Sequence, residues 1–416
     1  MERKFRLYLF LLALVLVFVP FSAALADSGN SGVLKIGSSG ERVSELQTLL
    51  KKEGLFPAGQ KVTGYYGPIT YNSVIALQKK YGLTVDGLAG AEVWNALYNK
   101  KTAGVVLGYY TVDYPGDRES HDSLVKYNQL IDQAAMFDFS VDQWGNLKGN
   151  VSSQGIKLAK AKGVKSLMVV HNISGLIDTK SAHSAISGHN RKNLINNIIR
   201  EVKENGYSGV NIDFEGIPPA GKNDFNAFLE ELSWKLKSMS KLLTVAVPAK
   251  TSDNGSYWNG AYDYRTIGRL ADYVVVMTYD EHWISGPAGP VASIPWVTRV
   301  LDYSTGVIPP GKILMGISAY GYDWPDGGKG KAIKWKNVQG LINKYGHWNV
   351  KWDNYNSVPY LIYKKDGVRH QVWFENKYSL AIKLELVKKY RIGGIAIWRM
   401  GFEDDSFWET VKKKLN

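Results

Sequence analysis

Asn211, Asp213 and Glu215 stand at alternate positions of the run Gly209-Val210-Asn211-Ile212-Asp213-Phe214-Glu215-Gly216. Successive residues of a strand point to opposite faces, so these three polar side chains share one face and Val210, Ile212 and Phe214 share the other. A buried carboxylate without a partner is costly, and two in one apolar strand need a reason. One reason is structural: a hydrogen-bonded ion pair inside a core. The other is chemical: an acid/base pair at the end of a barrel strand, where close carboxyls push each other's pKa apart.

The elements that must position these groups recur along the chain. Apolar strand-like runs lie at Val105 to Tyr110, Gln133 to Phe139, Ser166 to His171, Gly209 to Phe214, Leu243 to Val247, Tyr273 to Tyr279, Ile313 to Ile317 and Gly394 to Trp398. Helical stretches separate them. Eight buried runs alternating with helices predict an α/β fold, a parallel (β/α)8 TIM barrel. The piece from Tyr322 to Phe374 is too long and irregular for one loop, and is expected to be a small inserted α+β subdomain forming one wall of a cleft. In a TIM barrel the active site lies at the C-terminal ends of the strands. Asp213 and Glu215 end the fourth run, Met277-Thr278-Tyr279-Asp280 the sixth, and Trp398-Arg399 the eighth. Singly, Tyr279 reads equally well as a capping phenol and Trp398 as a core plug. Their shared placement favours one pocket.

Ahead of the barrel, residues 33–98 read as a compact all-α module. Val43, Leu46, Leu49 and Leu50 have helical spacing, as do Val74, Ile75, Leu77 and Tyr81. Two echoes, Val62-Thr63-Gly64-Tyr65-Tyr66-Gly67 and Val85-Asp86-Gly87-Leu88-Ala89-Gly90, each precede a helix. No strand–loop–helix unit with a ribose-binding acid surrounds them, so tight turns account for them better than a nucleotide loop. Asn99 to Gly104 is a linker, and the barrel is expected over residues 105–416.

Composition narrows the chemistry. The 416 residues contain no cysteine, which excludes disulfides and thiolate metal sites, and the 7 histidines show no helical zinc spacing. Neither a metal nor a cofactor is expected. The N-terminus carries Arg3, Lys4 and Arg6, an apolar run from Leu7 to Val19, Pro20, and a small-x-small site at Ala24-Leu25-Ala26. That is the layout of a signal peptide over residues 1–26, with an uncleaved anchor as the competing reading. Removing that segment, with its one acid and three bases, lowers the formal charge from +13 to +11. An exported basic protein suits a polyanionic surface. Export and the lack of a nucleic-acid module argue against nucleic acid as partner. The expected protein is secreted and wall-associated, without stable membrane attachment after cleavage, and a monomer by default.

Two resemblances follow from these residues. Gly40-Glu41-Arg42-Val43, Leu46-Gln47, Tyr66-Gly67-Pro68, Leu77-Gln78, Val85-Asp86-Gly87 and Val93-Trp94 resemble a three-helix peptidoglycan-binding module. Thr63 stands where that family usually has an acid, and Leu77 where it usually has Phe. From Val105 onward the chain resembles glycoside hydrolase family 18, whose D-x-x-D-x-D-x-E motif aligns with Ser208 to Glu215. Met277-x-Tyr279-Asp280, Gly286-Pro287-Ala288-Gly289-Pro290-Val291-Ala292, Gly316 to Gly321 and Trp398 match the same family. Within it the chain looks most like bacterial cell-wall and spore-cortex N-acetylglucosaminidases.

The resemblance implies Glu215 as general acid, Asp213 as partner of the substrate's acetamido N–H, and Tyr279 as partner of its carbonyl oxygen. It implies substrate contacts for Asn211, Tyr109, Met277, Asp280 and Trp398. The partner it implies is peptidoglycan or another N-acetylglucosamine polymer such as chitin, and a non-catalytic lectin is the rival from another class. Ser208 and Asn211 replace the motif's first two acids. An amide can donate and accept as a protonated carboxyl does, but it cannot repel Asp213 as a second charge would.

Overall fold

The computed structural model describes residues 33–81, 83–98, 104–253 and 256–415. The segment read as a signal peptide lies outside the described residues. The chain divides into two compact units, Met1–Tyr98 and Asn99–Asn416.

In the first unit three helices, α1 (Glu41–Lys52), α2 (Pro68–Lys80) and α3 (Ala91–Tyr98), enclose a small core. Val43, Leu46 and Leu50 of α1 meet Val74 and Leu77 of α2 and Val93, Trp94 and Leu97 of α3. The two sequence echoes form one device built twice. Gln47 of α1 accepts from the Thr63 and Gly64 amides at 2.8 and 3.0 Å and donates to the Tyr65 carbonyl at 2.9 Å. Gln78 of α2 accepts from the Gly87 amide at 2.9 Å and donates to the Leu88 carbonyl at 3.1 Å. Gly64 and Gly87 both take φ +69°, the left-handed region that favours glycine. The departure at Thr63 is mild because its hydroxyl accepts from Gln47 Nε2 and the Tyr65 amide, each at 3.3 Å. The carboxylate of Asp86 makes the equivalent bonds at 2.7 and 2.9 Å.

The second unit is a closed barrel of eight parallel strands. They are β1 (Val105–Tyr110), β2 (Gln133–Val141), β3 (Lys165–His171), β4 (Gly209–Asp213), β5 (Leu242–Pro248), β6 (Tyr273–Met277), β7 (Ile313–Ser318) and β8 (Gly394–Trp398). Each pairs with its sequence neighbours, and β8 pairs with β1 to close the ring. Such strands are buried on both faces, which is why they read as continuous apolar runs. Leu107, Tyr109, Ala135, Leu167, Val169, Ala246, Val275, Leu314 and Ala396 fill the interior. Val210, Ile212 and Phe214 face outward and pack with Phe225, Phe228 and Leu229 of the helix Lys222–Lys237. Each such fully buried side chain contributes about 1.5–3 kcal/mol relative to exposure.

Two strands stop short of the expected runs. β4 ends at Asp213 and β6 at Met277, so Glu215 and Tyr279 sit in the following loops. In β6 the cause is local: Thr278 donates its hydroxyl to the Gly316 carbonyl at 2.7 Å, and Asp280 then takes φ +60°. Between β7 and β8 lies a five-stranded antiparallel sheet in the order Lys331–Lys334, Tyr320–Pro325, Val368–Trp373, Val358–Lys365, Val350–Asp353. The helix Trp335–Tyr345 covers it through Val338 and Ile342. This sheet starts at Tyr320, two residues ahead of the expected boundary.

Candidate active site

A cavity of about 590 Å³ opens at the C-terminal ends of the barrel strands. Asp213, Glu215, Met277, Tyr279, Asp280 and Trp398 line it together. Asn211 and Tyr109 do not reach its wall. Asn211 is completely buried and Tyr109 is 2% exposed. They lie beneath the cavity, where the Tyr109 hydroxyl donates to Asn211 Oδ1 at 3.3 Å and Asn211 Nδ2 donates to Thr244 Oγ1 at 2.7 Å. Both side chains thus lie under the floor of the cavity. Strand alternation gave the face of Asn211 correctly, but Asn211 sits one inward-facing position deeper than Asp213.

Asp213 ends β4 almost fully buried, and its Oδ1 has no hydrogen-bond partner. Burial pushes its carboxyl up to about 7. Glu215 is pushed up to about 8, first by burial and then by the charges of Asp213 and Asp280. Near neutral pH Glu215 is thus held as a protonated acid. Asp280 Oδ1 accepts from the Tyr320 and Tyr322 hydroxyls at 2.7 and 2.9 Å. Burial raises this carboxyl, and the two phenols oppose the rise.

The Tyr279 ring fits because residue 316 is glycine: a Cβ there would lie 2.8 Å from Tyr279 Cε1. Burial and the neighbouring carboxylates keep the Tyr279 phenol protonated well above its ordinary range. Trp398 stands edge-on to Tyr109 and to Phe137, each at 5.2 Å between centroids. Phe137 in turn stacks on His171 at 4.0 Å, and burial lowers His171 to about 4, so that imidazole is neutral.

Of the remaining wall, only a contribution from the inserted subdomain was expected. Trp258, Trp283 and Trp296 line it, with Tyr320 from the inserted sheet and Ile173 and Ile177 from a hairpin after β3. A usable signal existed for two of these. Trp258 and Trp283 sit in Gly/Ser-containing loops after β5 and β6, where a large aromatic has no core to fill, and they are 40% and 54% exposed. Among the described residues, three carboxyl groups and no Lys, Arg or His line the cavity. Arg399, next to Trp398, is engaged by Asp113 at 3.0 Å and lies over the Phe402 ring. Among the described residues no group of three or more His, Cys, Asp or Glu could hold a metal ion. The arrangement can deliver a proton from Glu215 to a neutral substrate, with an unpartnered acceptor and a phenol donor beside it.

Comparison with known proteins decides the family. The model for "Glycosyl hydrolases family 18" matches residues 76–403. The chain belongs to glycoside hydrolase family 18. The model for "Putative peptidoglycan binding domain" matches residues 39–97, covering the three-helix unit. This family 18 glycosidase is 34% identical over 320 residues to "Uncharacterized glycosylase YvbX" of Bacillus subtilis (strain 168), covering 75% of this chain and 92% of that one. It is 30% identical over 293 residues to the "Cortical fragment-lytic enzyme" of Bacillus anthracis, covering 68% of each. Among solved structures, the spore cortex-lytic enzyme SleL of Bacillus megaterium QM B1551 superposes with TM-score 0.71 at 29% identity, over 76% of this chain and 75% of that one. A chitinase from Chromobacterium violaceum ATCC 12472 superposes with TM-score 0.70 at 32% identity, over 75% of this chain and 99% of that one.

Proposed function

We propose that this glycosidase is exported and cuts β-1,4 bonds at N-acetylglucosamine in peptidoglycan by substrate-assisted retaining catalysis. The observation that carries the reading is the unpartnered Asp213 Oδ1, buried beside a protonated Glu215 and the Tyr279 phenol. Family 18 is among the exceptions to the scheme in which a second enzyme carboxylate attacks the sugar. In the proposed first step Glu215 gives its proton to the glycosidic oxygen while the substrate's 2-acetamido carbonyl oxygen attacks C1. The aglycone leaves as an alcohol, and the acetamido group closes into an oxazolinium ion. Asp213 accepts the acetamido N–H, which supplies the partner that Oδ1 lacks. Tyr279 donates to the acetamido carbonyl oxygen and holds it in line. Glu215, now a carboxylate, takes a proton from water as that water opens the ring at C1, restoring the acid. Trp398 floors the subsite beneath the N-acetyl sugar, and Asp280 and Met277 border it.

Wall targeting rests on the N-terminal unit and on charge. A tethered second site raises the local concentration of the barrel on its polymer. The formal charge of +11 left after removal of residues 1–26 adds long-range attraction to an anionic wall. A chitinase is the second reading, favoured by a cavity lining without cations that suits uncharged N-acetylated sugars. The test is muropeptide analysis by mass spectrometry after digestion of purified peptidoglycan with wild type and Glu215→Gln. Fragments with reducing-end N-acetylglucosamine from wild type alone are expected. Release from chitin oligomers only would move the assignment to chitin, and wall binding without release of any fragment would make the protein a lectin.

A further inference from the structure

The loop that carries Glu215 is held from both sides. Asn172, 1% exposed and just past β3, accepts from the Glu215 amide at 2.8 Å and donates to the Glu215 carbonyl at 2.8 Å. Its second amide N–H donates to the Asp178 carbonyl at 3.0 Å, so both amide protons of Asn172 are used. On the other side the buried Tyr262 hydroxyl donates to the Phe214 carbonyl at 2.6 Å and accepts from the Ile217 amide at 3.4 Å. Lys250 fixes Tyr262 in turn, donating to its carbonyl at 2.7 Å. Main-chain groups of the acid and of the residues flanking it are therefore bonded to side chains from the segments that follow β3 and β5.

Asn172 also closes a hairpin. The Asp178 amide donates to the Asn172 carbonyl at 2.8 Å, and between them Ile173 pairs with Ile177 and Ser174 with Leu176. Ile173 and Ile177 line the cavity, while Leu176 at the tip is 83% exposed. One side chain thus joins the base of a cavity-lining flap to the backbone of the acid. We propose that Asn172 is a positioning residue for Glu215 that couples it to the hairpin, so that a sugar docking against Ile173 and Ile177 is transmitted to the acid's main chain. This rests on the reading of Glu215 as the general acid.

The test uses the full chain with chitotetraose and purified peptidoglycan, comparing wild type, Asn172→Leu, Tyr262→Phe and Ile177→Ala, with Glu215→Gln as control. A misplacement near 1 Å costs about 10²-fold in rate, so Asn172→Leu is expected to lose about 10²-fold in kcat with KM within about three-fold. Its basic pH limb should move to lower pH, because a loosened Glu215 meets more water. Tyr262→Phe keeps the ring and should lose about 10-fold in the same manner. In a double-mutant cycle, Ile177→Ala should lower kcat in wild type and have little further effect in Asn172→Leu. Loss of activity that tracks only the unfolded fraction, with an unmoved pH limb, would overturn the proposal. So would additive effects of Ile177→Ala and Asn172→Leu. If Asn172→Leu does not fold, Tyr262→Phe with unchanged kcat and pH limb overturns it. Retained activity in Glu215→Gln, or an inert wild type, would instead sink the reading on which it rests.

Discussion

Two pairs of buried ionisable groups sit in the barrel unit and are treated in opposite ways. Glu375 and Lys383 are 3% and 4% exposed in their side chains, and Lys383 Nζ donates to both carboxylate oxygens at 2.9 Å. Asp213 is almost as deeply placed and Glu215 partly buried, but the charged and hydroxyl groups they face are further carboxyls and phenols, and one oxygen of Asp213 has no partner among the described residues. Burial alone therefore does not separate scaffold from site. What differs between these two pairs is the counter-charge: Glu375 has one, whereas the uncompensated carboxyls of the cavity hold their protons and can then give them away. The structural explanation for carboxylates inside this protein is correct at Glu375 and fails at Asp213.

Four experiments would break or sharpen that contrast. The largest effect is expected for Glu215→Gln, with about 10³-fold loss in kcat and retained substrate binding, measured by reducing-end release and equilibrium binding. Binding lost in parallel with rate would make the residue a contact instead of an acid. Next, Lys383→Met should remove about 3–5 kcal/mol of stability in urea unfolding by stranding Glu375, and adding Glu375→Leu should recover most of it. A double variant no more stable than the single one would show that the pair matters beyond its charges.

The third prediction concerns pH. Asp213 and Glu215 rise from ordinary values of 3.8 and 4.5 to about 7 and about 8 on folding. Over that window the folded chain keeps protons that the unfolded chain releases. Their stabilising contribution is full below about pH 4 and is lost as pH rises through 7 to 8. Asp213→Asn should therefore melt higher than wild type at pH 8.5, with the gap closing by pH 4; an equal gap at both would remove the linkage. The smallest effect is expected for Asn211→Asp. A new acid beneath Asp213 should shift the acid limb of the activity profile by about one pH unit, and a superimposable profile would show that this amide tunes nothing.

The barrel was legible because parallel strands buried on both faces leave continuous apolar runs, as at Val274-Val275-Val276 and Ile395-Ala396-Ile397. Asp213 and Glu215 were legible because alternation exposes polar residues where an apolar face is due. Depth was not. Alternation assigns Asn211 to the inner face without saying which layer meets the cavity, and the resemblance names Tyr109 without its depth. Trp258, Trp283 and the Ile173–Ile177 hairpin escaped for another reason: they hang on connections between barrel elements, whose paths follow from packing and leave no periodic trace, while Trp296 lies in the first turn of the helix Ile294–Val307. Asn172 was equally silent, since a buried asparagine bonded to backbone looks like any turn residue.

Tyr320 and Tyr322 bond Asp280, yet both belong to the first strand of the inserted sheet, which leaves β7 after only Ala319. The subdomain is thus no detachable accessory. Were it exchanged for that of a relative, the barrel would inherit a different set of donors to Asp280, and with it a different proton affinity at Glu215. A change in the insertion that removed either phenol would reach the acid's working range through Asp280.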